Sequence, residues 1–351
     1  MEIWCTVPSF IIRPIGSLRD LQFEEKLPTA YGNVKVSIYG DRKNLPIVTF
    51  HDLGIDSETT FQNFFLFGSG GLFLEKFCIY NINAPGQEID ALSLPENYIY
   101  PSMDGLAEIV QSCIDHFGLK SFTGIGVGVG ANVMLRYALK KQENVDALVL
   151  INCVGTSCGW VEWSYEKVNI KYLRSVGMTS FTIDYLMWHH FGKQTDECNN
   201  ANMIRQYRTY FQRLSNPANL ASFIETYINR SPLVFSRNHS NGPHLNVPVL
   251  QMVGSASGFV DDTVEVNSRL DPATSEWIKI SDSCGLVLDD KPQNVTQAIL
   301  LFLQGLGHLP TVNVAKAIKQ ISDMQKNSES DDERAFDSFA MEEICDANLP
   351  V

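Results

Sequence analysis

A chain of 351 residues, 44% apolar and 19% charged, is long and apolar enough to bury a large core, either as one domain with an insert or as two domains. Its net charge of −13, with no block of Lys and Arg, excludes a nucleic-acid partner, because phosphate binding needs concentrated positive charge. No stretch reaches the ~18 uninterrupted apolar residues of a membrane span, and no basic start followed by an apolar run marks a secretory leader. A cytoplasmic protein without a transmembrane segment is therefore expected. The eight cysteines are scattered and form no Cys-x-x-Cys pair, which fits reduced thiols and gives no zinc spacing.

Residues 1–20 read as a lead-in carrying Pro8, Pro14 and Gly16. Alternating apolar positions over 21–27 and 33–39 predict a hairpin across Ala30-Tyr31-Gly32-Asn33. Ile47–Phe50 is a short buried strand that runs into His51-Asp52-Leu53-Gly54 and then a helix. Phe77–Ile82 is a further strand, closed by Asn83-Ala84-Pro85-Gly86-Gln87. Ser102 to Phe117 has the spacing of an amphipathic helix, with Ser102 as N-cap and Leu106, Ile109, Val110, Cys113 and Ile114 on one face. A buried strand over Phe122–Gly126, a turn, and a helix over Gly130–Lys141 follow, and Ala147–Ile151 is an apolar strand of the parallel-sheet kind.

After Val154 the pattern changes. Four helical segments near 159–176, 180–191, 199–214 and 217–229 follow one another, rich in Trp, Tyr and Phe. Alternation then resumes with a strand over Val249–Val253, a helix over Asp261–Leu270, a strand over Glu276–Ile280 and a helix over Val295–Gly305. Alternating strand and helix units predict a mostly parallel, eight-stranded sheet with helices on both faces, interrupted by a helical cap insert between its sixth and seventh strands. The chain thus divides into the lead-in at 1–20, a first core part at 21–154, the cap insert at 155–235, a second core part at 236–307, and a tail at 308–351. From Asp323 to Val351 the tail holds nine Asp or Glu against two Lys or Arg, and reads as acidic and largely disordered.

The turn Gly126-Val127-Gly128-Val129-Gly130 lies where an α/β-hydrolase fold places its nucleophile elbow, Gly-x-Ser-x-Gly. Its central residue is Gly128, which tolerates the strained turn but offers no attacking atom. The acid slot, after Val249–Val253, reads Gly254-Ser255-Ala256-Ser257-Gly258 and has no carboxylate. Asp261 and Asp262 fall at the start of the next helix, where the helix dipole favours them. Gly285 stands where the catalytic histidine is expected. With three slots empty together, the Ser-acid-His proton relay cannot operate. The vestigial pocket would be lined by His51, Asp52, Gly128, Val129, Ser257 and Gly285, with Gly128 leaving room for a ligand. His51 falls on the oxyanion loop, where it either donates a hydrogen bond to the pocket or organises the loop.

Cys284, Cys153 and Cys158 lack a neighbouring base in sequence that would make them nucleophiles. His189-His190 are adjacent on a helix and point to different faces, so a shared metal is not expected, and no metal or cofactor is assigned. The match of Gly126–Ala131 to the dinucleotide fingerprint is set aside, because the following strand ends in Asn152 and carries its acid, Asp146, at its start.

The runs His51-Asp52-Leu53-Gly54, Asn83-Ala84-Pro85-Gly86-Gln87, Gly126–Ala131 and Leu150-Ile151-Asn152 resemble the N-myc downstream-regulated (NDRG) family. So do Gly159-Trp160-Val161-Glu162-Trp163, Asn267–Pro272 and Phe302-Leu303-Gln304-Gly305. The resemblance spans roughly 22–307. The chain departs from it at Asn83, where the family has Asp, at Ser255, where a Gly-Asp pair is common, and in lacking the Ser/Thr-rich decapeptide repeats of some members.

The resemblance implies an α/β-hydrolase fold without hydrolase activity. It also implies a cytoplasmic role in stress response, differentiation, signal transduction or vesicle traffic, through protein partners and peripheral phospholipid contact. Trp160, Trp163, Trp188 and His189 are the expected partner surface on the cap. The resemblance points to tail phosphorylation, for which Ser328, Ser330 and Ser338 are the candidates. The alternatives are an unconventional hydrolase, with Cys284 the nucleophile to test, and an acyl-ligand sensor using the vestigial pocket.

Overall fold

The computed structural model describes residues 22–309 except 69–71, 193–200 and 238–241, together with positions 313, 314, 316 and 319. Cys5, Cys198, Cys345, Ser328, Ser330, Ser338 and nearly all of the acidic tail lie outside the described residues.

Eight strands form one sheet in the order β1-β2-β4-β3-β5-β6-β7-β8. The hairpin β1 (Gln22–Thr29) and β2 (Gly32–Tyr39) is antiparallel, and β2 pairs antiparallel with β4 (Phe77–Ile82). From β4 onward, β3 (Leu45–Phe50), β5 (Phe122–Val127), β6 (Val145–Ile151), β7 (Val249–Gly254) and β8 (Ser275–Ile280) all run parallel. β4, β5 and β7 are buried at every position, which is why they read as continuous apolar runs without alternation.

The core helices are α1 (Ser57–Asn63), α2 (Leu72–Lys76), α3 (Met103–Phe117), α4 (Val129–Lys140), α9 (Val260–Arg269), α10 (Val287–Asp290) and α11 (Pro292–Gly305). The cap, between β6 and β7, holds α5 (Trp160–Ser175), α6 (Ser180–Phe191), α7 (Ala201–Gln212) and α8 (Pro217–Ile228). Ser102 caps α3 by accepting from the Gly105 N–H, as the spacing predicts. Asp261 and Asp262 sit in the first turn of α9, in the dipole-favoured position.

Sequence reading missed α2, α10 and a π-helical turn at Phe64–Gly68, all too short to show a period. The phenylalanines around that turn explain it. Phe61, Phe64, Phe65, Phe73 and Phe77 are all buried in ring contact with one another, and their packing overrides local periodicity.

The cap is fastened to the core. The loop after β4 is pinned to α8, with Gln87 Nε2 donating to the Asn219 carbonyl at 3.0 Å and Asn219 Nδ2 donating to the carbonyls of Gly86 and Leu92, each at 3.0 Å. Within the cap, Arg230 grips Glu162 of α5 through two bonds of 3.0 Å while its guanidinium lies over the Tyr227 ring.

Candidate functional site: a closed elbow under the cap

The turn from β5 into α4 keeps the elbow geometry. Gly128 has φ +54° and ψ −112°, and its N–H donates to the Ile151 carbonyl at the end of β6. Any side chain other than glycine's is strained at that φ. Gly130 starts α4 so close beneath β3 that a Cβ there would overlap the Phe50 carbonyl.

What lies above Gly128 is not a pocket. Asp52, on the loop after β3, turns its carboxylate into the space a nucleophile would fill, and a Cβ on Gly128 would overlap that carboxylate. Asp52 Oδ1 accepts from the Leu53 N–H at 2.8 Å and from the Val129 N–H at 3.0 Å. In this fold the N–H of the residue after the nucleophile and an N–H from the β3–helix loop make the oxyanion hole. Both donors are taken by a side chain of the protein itself. The room expected above Gly128 is thus absent, because the Asp52 carboxylate occupies it.

Helix α6 closes the site from the cap side. His189 Nε2 lies 2.9 Å from Asp52 Oδ2, and both side chains are buried. His190 Nε2 donates to the Leu53 carbonyl at 2.8 Å, which places its Nδ1 4.0 Å from the same Asp52 oxygen. The two histidines leave the helix in different directions, yet both reach the one carboxylate, with ring centroids 5.0 Å apart. His189 is 2% exposed and is not partner surface. The sequence-based assignment fails here because the helix faces the core along more of its girth than an amphipathic helix would: Tyr185, Leu186, Met187, His189, His190 and Phe191 are all buried.

The other two vacant slots are also filled by this helix end. A Cβ on Gly285, the histidine slot, would lie 2.5 Å from the His190 carbonyl oxygen. A Cβ on Gly192 would overlap the Ala256 carbonyl in the acid-slot loop, and Gly258 of that loop packs under the Trp188 ring. Asn152, the residue after β6, at φ +53°, ties these loops together, donating to the Gly285 carbonyl at 2.8 Å and accepting from Ser257 Oγ at 3.2 Å.

The electrostatics follow from burial. Burial pushes the Asp52 carboxyl up, but the charge and hydrogen bond of His189, then His190 and the Val129 N–H, outweigh it and bring it down to about 2. His189 moves the other way: burial lowers it, and the Asp52 charge and hydrogen bond raise it above its ordinary value. His190, buried beside the His189 charge, falls to about 4. His51 also falls to about 4 by burial. Its Nδ1 donates to the Asp52 carbonyl at 2.8 Å and its Nε2 accepts from the Ala84 N–H at 2.9 Å, so it organises the loop and does not face the elbow.

Cys284 is buried, as are Cys153, Cys113 and Cys78, whereas Cys158 is partly exposed; all five described cysteines are outside disulfides. Burial pushes the Cys153 and Cys158 thiols up to about 12, far from nucleophilic thiolates.

Among the described residues the other cap features are open. Trp160 is 84% and Val161 86% exposed, and Trp163 and Trp188 are part-exposed. A cavity of about 730 Å³ lies beside the closed elbow, between the loop Gly86–Asp90 and the α7–α8 junction, with Ile89, Arg205, Thr209, Arg213 and Leu220 on its walls.

The chain matches the Ndr family over residues 24–310. It is 35% identical over 297 residues to Protein NDRG4-B of Xenopus laevis, covering 84% of this chain and 79% of that protein. It is 36% identical over 298 residues to Protein NDRG3 of Xenopus tropicalis, covering 83% and 75%. Among solved structures it superposes on a thermophilic esterase from Thermogutta terrifontis with a TM-score of 0.65 at 18% identity, covering 81% of this chain and 98% of that one. A hydrolase from Pseudomonas aeruginosa gives 0.64 at 15% identity, covering 80% and 98%. The fold is that of the α/β-hydrolases.

Proposed function

This chain belongs to the Ndr family, and we propose that within it the chain is a non-enzymatic adaptor, acting by binding partners and not by turning over a substrate. The observation that carries this reading is the Asp52 carboxylate, which fills the nucleophile's place above Gly128 and takes both oxyanion donors. A site that holds its own anion has no vacancy for a developing one. Fold likeness to esterases does not supply the missing groups, since chemistry resides in the site.

In this reading the protein works in the cytoplasm, in stress response, differentiation, signal transduction or vesicle traffic, through protein partners and peripheral phospholipid contact. The partner surface lies on α5. Trp160 and Val161 stand almost fully in solvent with Trp163 beside them, and such aromatic anchors supply large area with a polar handle.

The test is an ester-hydrolysis panel across acyl chain lengths on the native protein and a heat-denatured control, with partner capture on wild type and Trp160→Ala/Val161→Asp. No turnover above control, together with loss of partners in the double variant, is the expected result. Saturable turnover that survives further purification would sink the reading.

A second reading, a small-molecule sensor, is supported by the 730 Å³ cavity beside the elbow and not by the vestigial pocket. Thermal-shift screening with acyl compounds on wild type and Leu220→Trp checks it, a stabilisation lost in the variant being the expected signature.

A further inference from the structure

Three ligating side chains from distant parts of the chain meet in the closed elbow. One ligating atom from each of Asp52, His189 and His190 lies within 4.8 Å of the others, and all three residues are buried. Two of them are held in a fixed orientation by backbone groups. The carboxylate is anchored through its other oxygen by the Leu53 and Val129 N–H groups. The His190 ring is anchored by its Nε2, which must carry a hydrogen because the Leu53 carbonyl can only accept. That hydrogen bond leaves Nδ1 as a bare lone pair 4.0 Å from the carboxylate oxygen. Asp52 Oδ2, which accepts from His189, and the His190 lone pair thus lie in one buried place that a single positive centre can bridge.

A proton on His189 satisfies Asp52 Oδ2 at 2.9 Å but does nothing for His190 Nδ1. A metal ion satisfies both. We propose that Asp52, His189 and His190 form a binding site for a divalent transition-metal ion of the zinc class, which ties helix α6 of the cap to the loop after β3. Two imidazoles and one carboxylate suit zinc, cobalt or nickel better than magnesium or calcium, which prefer oxygen ligands. Ligand distances of about 2.0–2.1 Å would draw the three donor atoms to roughly 3.3 Å from one another. From separations of 2.9 and 4.0 Å on Asp52, that requires side-chain shifts and no change of fold. The backbone bonds to Asp52 and His190 are the outer contacts that usually orient metal ligands. Among the described residues no fourth His, Cys, Asp or Glu joins the group, so the protein supplies three of the ligands of a tetrahedral ion.

The two occupants differ in what they ask of His190, and the experiment uses that difference. Full-length protein without a polyhistidine tag is expressed in zinc-supplemented medium and dialysed against metal-free buffer. Its metal content is then measured, its visible spectrum is recorded after cobalt exchange, and its melting is followed with and without added zinc. The same is done for His190→Leu, which keeps the Asp52–His189 pair. The wild type is expected to retain about one zinc per chain, to give the visible bands of tetrahedral cobalt, and to melt several degrees higher with zinc. In His190→Leu, retention should fall at least tenfold and the zinc effect on melting should vanish. Less than a tenth of an equivalent in wild type overturns the proposal. So does equal retention in the variant, or a near-ultraviolet sulfur-to-cobalt band, which would place the ion on cysteines. If His190→Leu does not fold, the wild-type metal content and cobalt spectrum decide the matter alone.

Discussion

At the scale of single residues, the emptiness of the elbow and its occupation are separate facts. Gly128, Gly285 and the carboxylate-free Ser255–Ser257 loop are legible in the sequence because each slot is defined by its place after a strand. The Asp52 carboxylate above Gly128 is not, since it comes from a loop whose side-chain direction no periodicity encodes. A hydroxyl introduced at Gly128 would therefore meet the Asp52 carboxylate. Gly128→Ser is expected to show no esterase activity and to lose about 2–4 kcal/mol of stability, because the new side chain meets the carboxylate in a strained turn. Chemical denaturation of Gly128→Ser, Asp52→Gly and the double variant checks it: overlap between the two groups predicts a coupling of about 1–3 kcal/mol, with the double variant better than the sum. His189→Ala is expected to cost about 3–5 kcal/mol, since it strands a buried carboxylate. Trp160→Ala, at a side chain 84% exposed, should stay within about 0.5 kcal/mol of wild type in the same assay.

At the scale of elements, α6 carries the site although its sequence looks unremarkable. Its apolar residues are spread around the helix, and so its burial on several sides could not be read from one stripe. The end of this helix reaches all three vacated positions: His189 at Asp52, the His190 carbonyl at Gly285, and Gly192 against Ala256. Small residues at the slots let the cap sit lower than side chains there would allow. Gly285→Ala should accordingly lift the helix end without unfolding the sheet. Hydrogen exchange is expected to quicken in 180–191 while β5 and β6 stay protected; equal loss of protection in both would mean that α6 and the sheet open as one unit. The longer helices and all eight strands are legible from periodicity and caps, whereas α2, α10 and the π-helical turn are shorter than a readable period, and the π-helical turn owes its form to the phenylalanine cluster.

At the scale of the whole molecule, buried carboxyls set the pH dependence of stability. Burial raises Glu166 in the cap from 4.5 to about 8, against opposing hydrogen bonds from Tyr185 and Asn169, and raises Asp289 from 3.8 to about 6. Both bind a proton more tightly in the folded state than in the unfolded one. Their contribution is fully present below the unfolded values and is lost as pH rises through about 6 and then about 8. His51 and His190, both lowered from 6.5 to about 4, oppose this loss up to about pH 6.5, because the unfolded chain protonates there what the folded protein keeps neutral. Stability should therefore fall chiefly above about pH 6.5, towards pH 8, and Glu166→Gln should flatten that fall. At pH 8 the variant is expected to melt a few degrees above wild type, as read by calorimetry across the range. An unchanged slope would mean that Glu166 is solvated in the folded protein. The sequence by itself determined the α/β alternation, the place of the helical run between the sixth and seventh strands, the family and the glycines at positions 128 and 285, because periodicity, strand order and position after a strand are properties of the chain as a line. Only the tertiary structure decided what fills the vacancy. Asp52 and His189 are 137 residues apart, and their meeting depends on how far the cap sinks onto the sheet, which is fixed by packing across the interface and by no local pattern.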